Sequence, residues 1–372
     1  MYETPTRIVK CHQASTHHGV DPICPKIKKK TVDKTVFLHA LSFMTVKSIV
    51  HIAHERQIIN QSIRSFFVDR GYTEVETPIV VRSPGMEPNL VPFETMVIEP
   101  NGVAHTAALI TSPEYFMKKL LGLGMQKIFT ITKVFRNEES FGGNHNPEFS
   151  MIEWYQQGAD YHVCMDETTE LITSVAQNLS LHQCSINQDV FLTDWKHVRV
   201  QELFLEYLGL DLSTASSEQL RQTCMHHHIH CDASDTESDF FYRLFLSKIE
   251  PELRGKMFVV DYPKYQASLA RLTLDQHYGE RFELYLNGLE ICNGFTELTD
   301  SQEQRSRFLE EAKERATLNR TVHPIDETFL NLLPSLQIPT FGNALGIDRL
   351  HMFLMNRDRI EDVMLFSAQD LF

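Results

Sequence analysis

The densest set of chemistry-bearing residues is Glu283, Glu290 and Glu297, with Asn293 among them. Asn287-Gly288 separates the first acid from the rest, and between two β-forming runs that dipeptide is a strong hairpin signal. A hairpin there makes Glu283 and Glu290 approximate cross-strand neighbours. Two carboxylates converging on one face repel unless a proton or cation lies between them. A divalent metal bridging phosphates meets that need; a solvated acidic face is the alternative. Gly294, inside the second strand, points to a bulge or to close backbone approach.

Arg136 ends a β-rich run and precedes Asn137-Glu138-Glu139 and the Gly142-Gly143 pair. An arginine at a strand end beside a glycine-rich loop suits bidentate phosphate binding, although taken alone a surface ion pair is the simpler reading. In the following strand, Phe149, Met151, Glu153 and Tyr155 share one face by the period of two. An acid among aromatics means either a solvated sheet surface or a face that lines a site. Gly342, Gly346, Asp348 and Arg349 fall at a strand-to-helix junction. There glycine lets backbone pass close to a ligand and a helix start favours anions, while a tight turn explains them equally. Cys224, His226, His227, His228, His230 and Cys231 also cluster. Consecutive histidines on a helix point in different directions, which favours an ordinary helical surface over a zinc site.

These groups need elements to hold them. Ile52, Ile59, Ile63, Phe66 and Phe67 occupy one helical face, with Gly71 as the stop. Residues 72–77 read as a strand ended by Pro78. Ser112-Pro113-Glu114 reads as a helix start, with serine at the N-cap and proline at the first helical position. Residues 127–136 and 149–156 form a predicted long-looped hairpin. The stretch 160–254 is mostly helical in pattern, with one extended piece near Val190. Strands are predicted at 256–262, 281–286, 289–296 and 339–343, and helices at 301–317 and 347–356. The sum is α+β, an antiparallel sheet flanked by helices.

Composition narrows the class. A length of 372 residues with 42% hydrophobic content supports a full core, and a formal net charge of −14 argues against indiscriminate binding to nucleic-acid backbones. Seven cysteines without a CxxC pair read as reduced thiols of the cytoplasm. The apolar piece 36–46 is too short for a bilayer and is interrupted by His39 and Ser42, so no membrane is expected. Residues 1–46, with the basic run 26–30, read as a solvated or disordered extension, a docking arm for an acidic partner being the alternative. Residues 47–372 read as the catalytic part, with a helical insertion over about 160–254.

In chain order these segments resemble the class II aminoacyl-tRNA synthetase catalytic domain. Residues 71–78 (Gly-Tyr-Thr-Glu-Val-Glu-Thr-Pro) resemble motif 1. Phe135-Arg136-Asn137-Glu138 with Asn144-His145-Asn146-Pro147-Glu148-Phe149 resembles motif 2, and residues 344–350 (Ala-Leu-Gly-Ile-Asp-Arg-Leu) resemble motif 3. Thr111-Ser112-Pro113-Glu114-Tyr115, Glu153-Trp154-Tyr155 and residues 290–298 are similar to the lysyl branch. Within that branch the chain resembles the elongation factor P lysine ligase family. No N-terminal anticodon-reading domain is accommodated, residues 262–270 follow that family's version of the strand, and Ala344 stands where lysyl-tRNA synthetases usually carry glycine. The added methyl is worth about 1–3 kcal/mol in selectivity, enough to favour a shifted α-amino group as in β-lysine.

The resemblance implies ATP as co-substrate and Mg²⁺, with Arg136 and Arg349 as the catalytic pair. Arg136 is expected on the α-phosphate, Asn137, Glu138, His145 and Asn146 in the ATP site, and Phe149 and Arg349 about adenine. Ile291 and Gly346 complete the nucleotide set, and Glu283 and Glu290 hold the metal. Glu114, Tyr155 and Glu297 take the amino groups of the substrate, with Ser112 and Asn293 nearby. The implied reaction activates (R)-β-lysine or lysine as its adenylate and transfers it to a lysine ε-amine of elongation factor P, in a homodimer that uses no tRNA. The alternatives are charging of tRNA or a small acceptor, and a non-catalytic regulatory paralogue. One departure stands out: the motif 2 loop, Glu139-Ser140-Phe141-Gly142-Gly143-Asn144, lacks arginine and is one residue longer than in relatives.

Overall fold

Helix α1, Val46–Asp69, buries the apolar stripe expected of it: Ile59, Ile63 and Phe67 are fully enclosed. Gly71 (φ 78°) then turns the chain into β1, Thr73–Glu74. This computed structural model describes residues 46–372, and 47–372 form one compact unit. The basic run 26–30 lies outside the described residues. The strand expected over 72–77 pairs at only two positions, Thr73 with Ile128 and Glu74 with Phe129, at the edge of the sheet.

A segment that the sequence pattern left unread, between Pro78 and Thr111, forms a small sheet of β2 (Val80–Val81), β3 (Glu94–Ile98) and β4 (Ala104–Leu109). Helix α2 follows at Glu114–Gly122, with Pro113 rather than Ser112 in the N-cap position and no side-chain cap. The hairpin β5 (Lys127–Phe135) and β6 (Glu148–Gln157) pairs in register from Lys127–Gln156 to Phe135–Glu148. Helix α3, Tyr161–Leu181, is capped by the Asp160 side chain. Val190 lies in a short helix, α4 (Asp189–Leu192), its side chain buried; the extended piece is instead β7, Trp195–Arg199. Helices α5 (Val200–Leu208), α6 (Ser217–His226) and α7 (Glu237–Leu244) complete that region.

Strands β8 (Lys256–Pro263), β9 (Tyr278–Leu286), β10 (Leu289–Thr296) and β11 (Thr340–Gly346) finish the main sheet. Among the described residues its order is β1-β5-β6-β11-β10-β9-β8-β7. The inner pairs are antiparallel, and only the two edge pairs are parallel. Asn287 (φ 53°) and Gly288 (φ 80°) make the two-residue turn between β9 and β10 that the dipeptide signalled. Helices α8 (Ser301–Thr317) and α9 (Glu327–Leu332) cover one end. Helix α10 (Ile347–Leu354) is not the last, since α11 (Ala368–Leu371) follows.

Strand alternation divides the sheet into two faces. Ile152, Trp154, Phe282, Leu284, Phe341 and Leu345 point into the main core with α1 and α3. Burial of this face supplies the apolar driving force, about 25 cal/mol per Å² removed from water. The opposite face carries the polar groups of the site. Among the described residues, no helix is long and apolar enough to cross a membrane.

Asp348 fastens α1 to this arrangement. One of its oxygens pairs with Arg56 and the other accepts from the Ser150 amide at 2.7 Å, while its side chain is 2% exposed. Removing one member of a buried pair leaves the other desolvated and uncompensated, at a cost of about 3–5 kcal/mol. Asp348→Ala is therefore expected to lower the unfolding free energy by that amount, seen as a lower urea midpoint at an unchanged m-value, whereas Arg64→Ala, which breaks a surface pair, changes it little.

Candidate active site

The polar face of the sheet floors a cavity of about 850 Å³. One end gathers Arg136, Phe149, Glu283, Glu290, Arg349 and Glu250. Arg136 stands with its guanidinium 5.2 Å from the centre of the Phe149 ring, and its Nε has no hydrogen-bond partner. Burial holds its pKa below the usual arginine range, with Glu290 and Glu139 opposing that shift and Arg349 adding to it. Arg349 donates to the Glu290 carbonyl at 3.0 Å and to the Asn144 carbonyl at 3.2 Å. It thereby ties β10 to the loop between β5 and β6.

The register of the hairpin refines the expected acid pair. Glu283 faces Asn293 and Glu290 faces Tyr285, with a shift between Glu290 and Cys292. That bulge, not one at Gly294, returns Glu290 to the same side as Asn293 despite their odd spacing. Gly294 instead marks close approach: a Cβ there would lie 2.6 Å from Phe282 Cζ. Glu283 accepts from Arg281, Tyr262 and Tyr285, each at 2.6 Å. Burial raises the Glu283 pKa, Arg281 counteracts it, and Glu290 raises it further. Burial, then Glu290 and Glu283, pushes Glu250 up to about 7. Crowded carboxylates of this kind fit Mg²⁺ that arrives with nucleotide phosphates, since Mg²⁺ commonly takes only one or two protein carboxylates. A protein-only cage is absent, because no group of three or more His, Cys, Asp or Glu among the described residues could hold a metal.

The other end is built around Lys118, which sequence reading missed. Its side chain is 1% exposed, and its ammonium lies 2.6 Å from both Glu114 and Glu297. A lone lysine on an amphipathic helix carries no signal of burial, so only the packed structure reveals it. Glu153 joins the group with Tyr155 donating to it at 2.9 Å, so the acid on the β6 face lines the site rather than facing solvent. Burial, then Glu114, raises the Glu153 pKa well above the carboxylate range. Glu297 is pushed up to about 8 by burial, against the pull of Lys118. Gly342 makes the close packing here feasible, because a Cβ would overlap the Tyr155 ring and a Glu297 oxygen.

Most expected residues share this one cavity: Ser112, Glu114, Arg136, His145, Asn146, Phe149, Tyr155, Glu283, Glu290, Ile291, Asn293, Gly346 and Arg349 all line it. Three do not. Glu297 lies just beneath, 2% exposed. Asn137 and Glu138 are exposed, because Glu138 adopts φ 60° and the turn carries both away from the lining. Glu139 lines the cavity instead and pairs with His145 at 2.8 Å. Asn146 has its amide engaged structurally: it donates to the Glu148 carbonyl at 2.6 Å and accepts from the Ala368 amide at 2.8 Å. The long loop is further held by Gln369, which donates to the Phe141 carbonyl at 2.9 Å, and by Ile360, whose amide donates to the Gly143 carbonyl at 2.7 Å. The His/Cys cluster of 224–231 lies outside the cavity lining, with Cys224 buried and donating to the Phe240 carbonyl.

An antiparallel sheet whose open face sets arginines beside crowded carboxylates at one end and buried acids at the other defines an amino-acid-activating ligase of the class II synthetase type. The family model for tRNA synthetases class II (D, K and N) matches residues 38–370, and the chain belongs to that family. Among its relatives is a protein of Proteus mirabilis (strain HI4320) named elongation factor P--(R)-beta-lysine ligase, 36% identical over 86% of this chain and 96% of its own. A protein of the same name from Pectobacterium carotovorum subsp. carotovorum (strain PC1) is 38% identical over 88% of this chain and 98% of its own.

Two outcomes follow from the acid-lined end. Between the usual 4.5 and about 8, folded Glu297 keeps a proton that the unfolded chain releases, so stability falls as pH rises through that window. Glu297→Gln is expected to match the parent in urea unfolding at about pH 5 and to exceed it at about pH 9. Gly342→Ala is expected to abolish amino-acid binding in calorimetry while nucleotide binding persists, since the added methyl displaces Tyr155 and Glu297 but not Arg136.

Proposed function

We propose that this enzyme activates (R)-β-lysine with ATP as the adenylate and transfers it to a lysine ε-amine of elongation factor P. The observation that carries the reading is the charge balance at the amino-acid end. Among the described residues, Glu114, Glu153 and Glu297 face Lys118 alone, leaving two carboxylates that the two ammonium groups of a diamino acid would neutralise. Burial favours the protonated forms of Glu153 and Glu297, so a dicationic substrate displaces protons as it binds. The relatives' shared name supplies the β-amino isomer and the acceptor. Ala344, between Glu153 and Asn293 on neighbouring strands and lining the cavity, is the side chain that would distinguish a shifted amino group.

In the first step a carboxylate oxygen of the amino acid attacks the α-phosphorus and pyrophosphate leaves with the bonding electrons. Arg136 offers its guanidinium to the charge that builds on the α-phosphate. Mg²⁺, held by Glu290 and Glu283 with the phosphates, would neutralise the leaving pyrophosphate. In the second step the neutral acceptor amine attacks the adenylate carbonyl, the bond to AMP breaks, and the nitrogen sheds a proton as the amide forms. Positioning and electrostatics suffice, without a covalent enzyme intermediate.

The reading includes a homodimer and a cytoplasmic location. Val80, Met96, Val97, Ile98 and Val103 leave the small sheet with an exposed apolar surface suited to a second copy. The described cysteines are all unpaired, as a reducing compartment would keep them.

Incubation with ATP, (R)-β-lysine and either elongation factor P or tRNA tests the proposal: a mass gain on the factor is expected, and label on tRNA alone would overturn it. Arg136→Ala is expected to lower ATP–pyrophosphate exchange by about 10²–10³-fold. Ala344→Gly is expected to shift the α-lysine to β-lysine ratio of kcat/KM toward α-lysine by about 10-fold or more.

A further inference from the structure

One stretch of the cavity lining, an acidic arm, is used by none of these roles. Glu87, from the segment after β2, and Glu311, from α8, line it together with Ser268. Ser268 donates to Glu311 at 3.0 Å and does so from φ 34°, a left-handed conformation that costs a serine backbone strain. Neither carboxylate has an ion-pair partner among the described residues. Arg307, the arginine that acts on Glu311, is taken up by Glu303 and by the carbonyls of Ser268 and Ala270. Burial, then Glu87, pushes Glu311 up to about 8, and burial, then Glu114, raises Glu87.

Tyr115 lies behind those acids, beneath the cavity lining. It is 6% exposed, its ring stacks on Phe329 with centres 4.8 Å apart, and its hydroxyl has no hydrogen-bond partner. Glu87, Glu311 and Glu114 are the charged groups acting on that hydroxyl. The backbone group beside it, the Met86 amide, is a donor, so the oxygen lacks an acceptor for its own proton. Two unpaired carboxylates and an orphaned hydroxyl suit an alkylammonium, a compact cation with three donors. Glu87 acts on Arg136 as well as on Glu114, so the arm adjoins both the phosphate and the amino-acid ends. The carbonyl carbon of an adenylate bridging those two ends must lie there.

We propose that Glu87 and Glu311, backed by the Tyr115 hydroxyl, seat the side-chain ammonium of the acceptor lysine and that one of the two carboxylates takes its proton, so that the neutral amine attacks the adenylate carbonyl as the bond to AMP breaks. The inference rests on the transfer reaction proposed above. It also gives a role to Ser268, in the segment that follows β8. Ser268 of that segment aims Glu311, and an enzyme whose acceptor is a ribose hydroxyl has no cation to seat.

The test compares the two steps in the full-length enzyme and in Glu87→Gln, Glu311→Gln and Glu311→Asp. Exchange of ATP with pyrophosphate under (R)-β-lysine reads the first step, and mass gain on elongation factor P reads the second. Hydroxylamine, an amine uncharged at neutral pH, serves as an acceptor that needs no ammonium site. The glutamine variants are expected to raise the KM for the factor and to lower transfer relative to exchange by about tenfold or more. The ratio of hydroxamate to labelled factor should rise by a similar amount, and Glu311→Asp should recover part of the loss. Exchange and transfer falling together, or neither changing, overturns the inference. An equal rise in the exchange KM for the amino acid assigns the arm to that substrate and overturns it too. A parent enzyme that exchanges but never labels the factor overturns the functional reading itself, and this inference with it.

Discussion

Lys118 is the cation on which the acid-lined end of the cavity depends. Fully buried and 2.6 Å from two carboxylates, it lets Glu114 and Glu297 remain close inside a desolvated pocket. Burial works against its charge, yet the two acids raise its pKa above the ordinary lysine value. One lysine cannot balance three carboxylates, so burial favours protonated Glu153 and Glu297. Under the proposed function, selectivity for a doubly cationic substrate would arise from a deficit of positive charge rather than from shape alone.

That deficit is tolerable because the surrounding scaffold does not yield. The apolar face of the sheet packs against α1 and α3, and Asp348 locks α1 to β6 at the helix that presents Arg349. Gly342 removes the one side chain that would keep β11 from passing under Tyr155 and Glu297. The loop between β5 and β6 is pinned by the C-terminal segment through Asn146, Gly143 and Phe141. The loop's order therefore depends on residues more than two hundred positions downstream.

Much of this was legible in the chain. The Asn287-Gly288 turn, the 127–156 hairpin and the buried stripe of α1 follow from local rules of turn chemistry and periodicity, and all are present. The short edge strand β1 and the exchange of helix and strand around Val190 were not, because at sheet edges the neighbours outweigh propensity. Glu283 and Glu290 were correctly expected on one face, but the bulge that puts them there is invisible in a pattern of residue types.

Sequence alone determined which kinds of group were available: acids flanking a tight hairpin, arginines at the ends of strands, and ordered motifs shared with an amino-acid-activating family. Tertiary structure alone decided what each group meets. Whether Glu283 stands free or is held by Arg281 and two tyrosines, whether Glu138 or Glu139 enters the cavity, and whether Lys118 is solvated or sealed depend on burial and distance. Electrostatic energy varies steeply with both, and neither is written in the order of the residues.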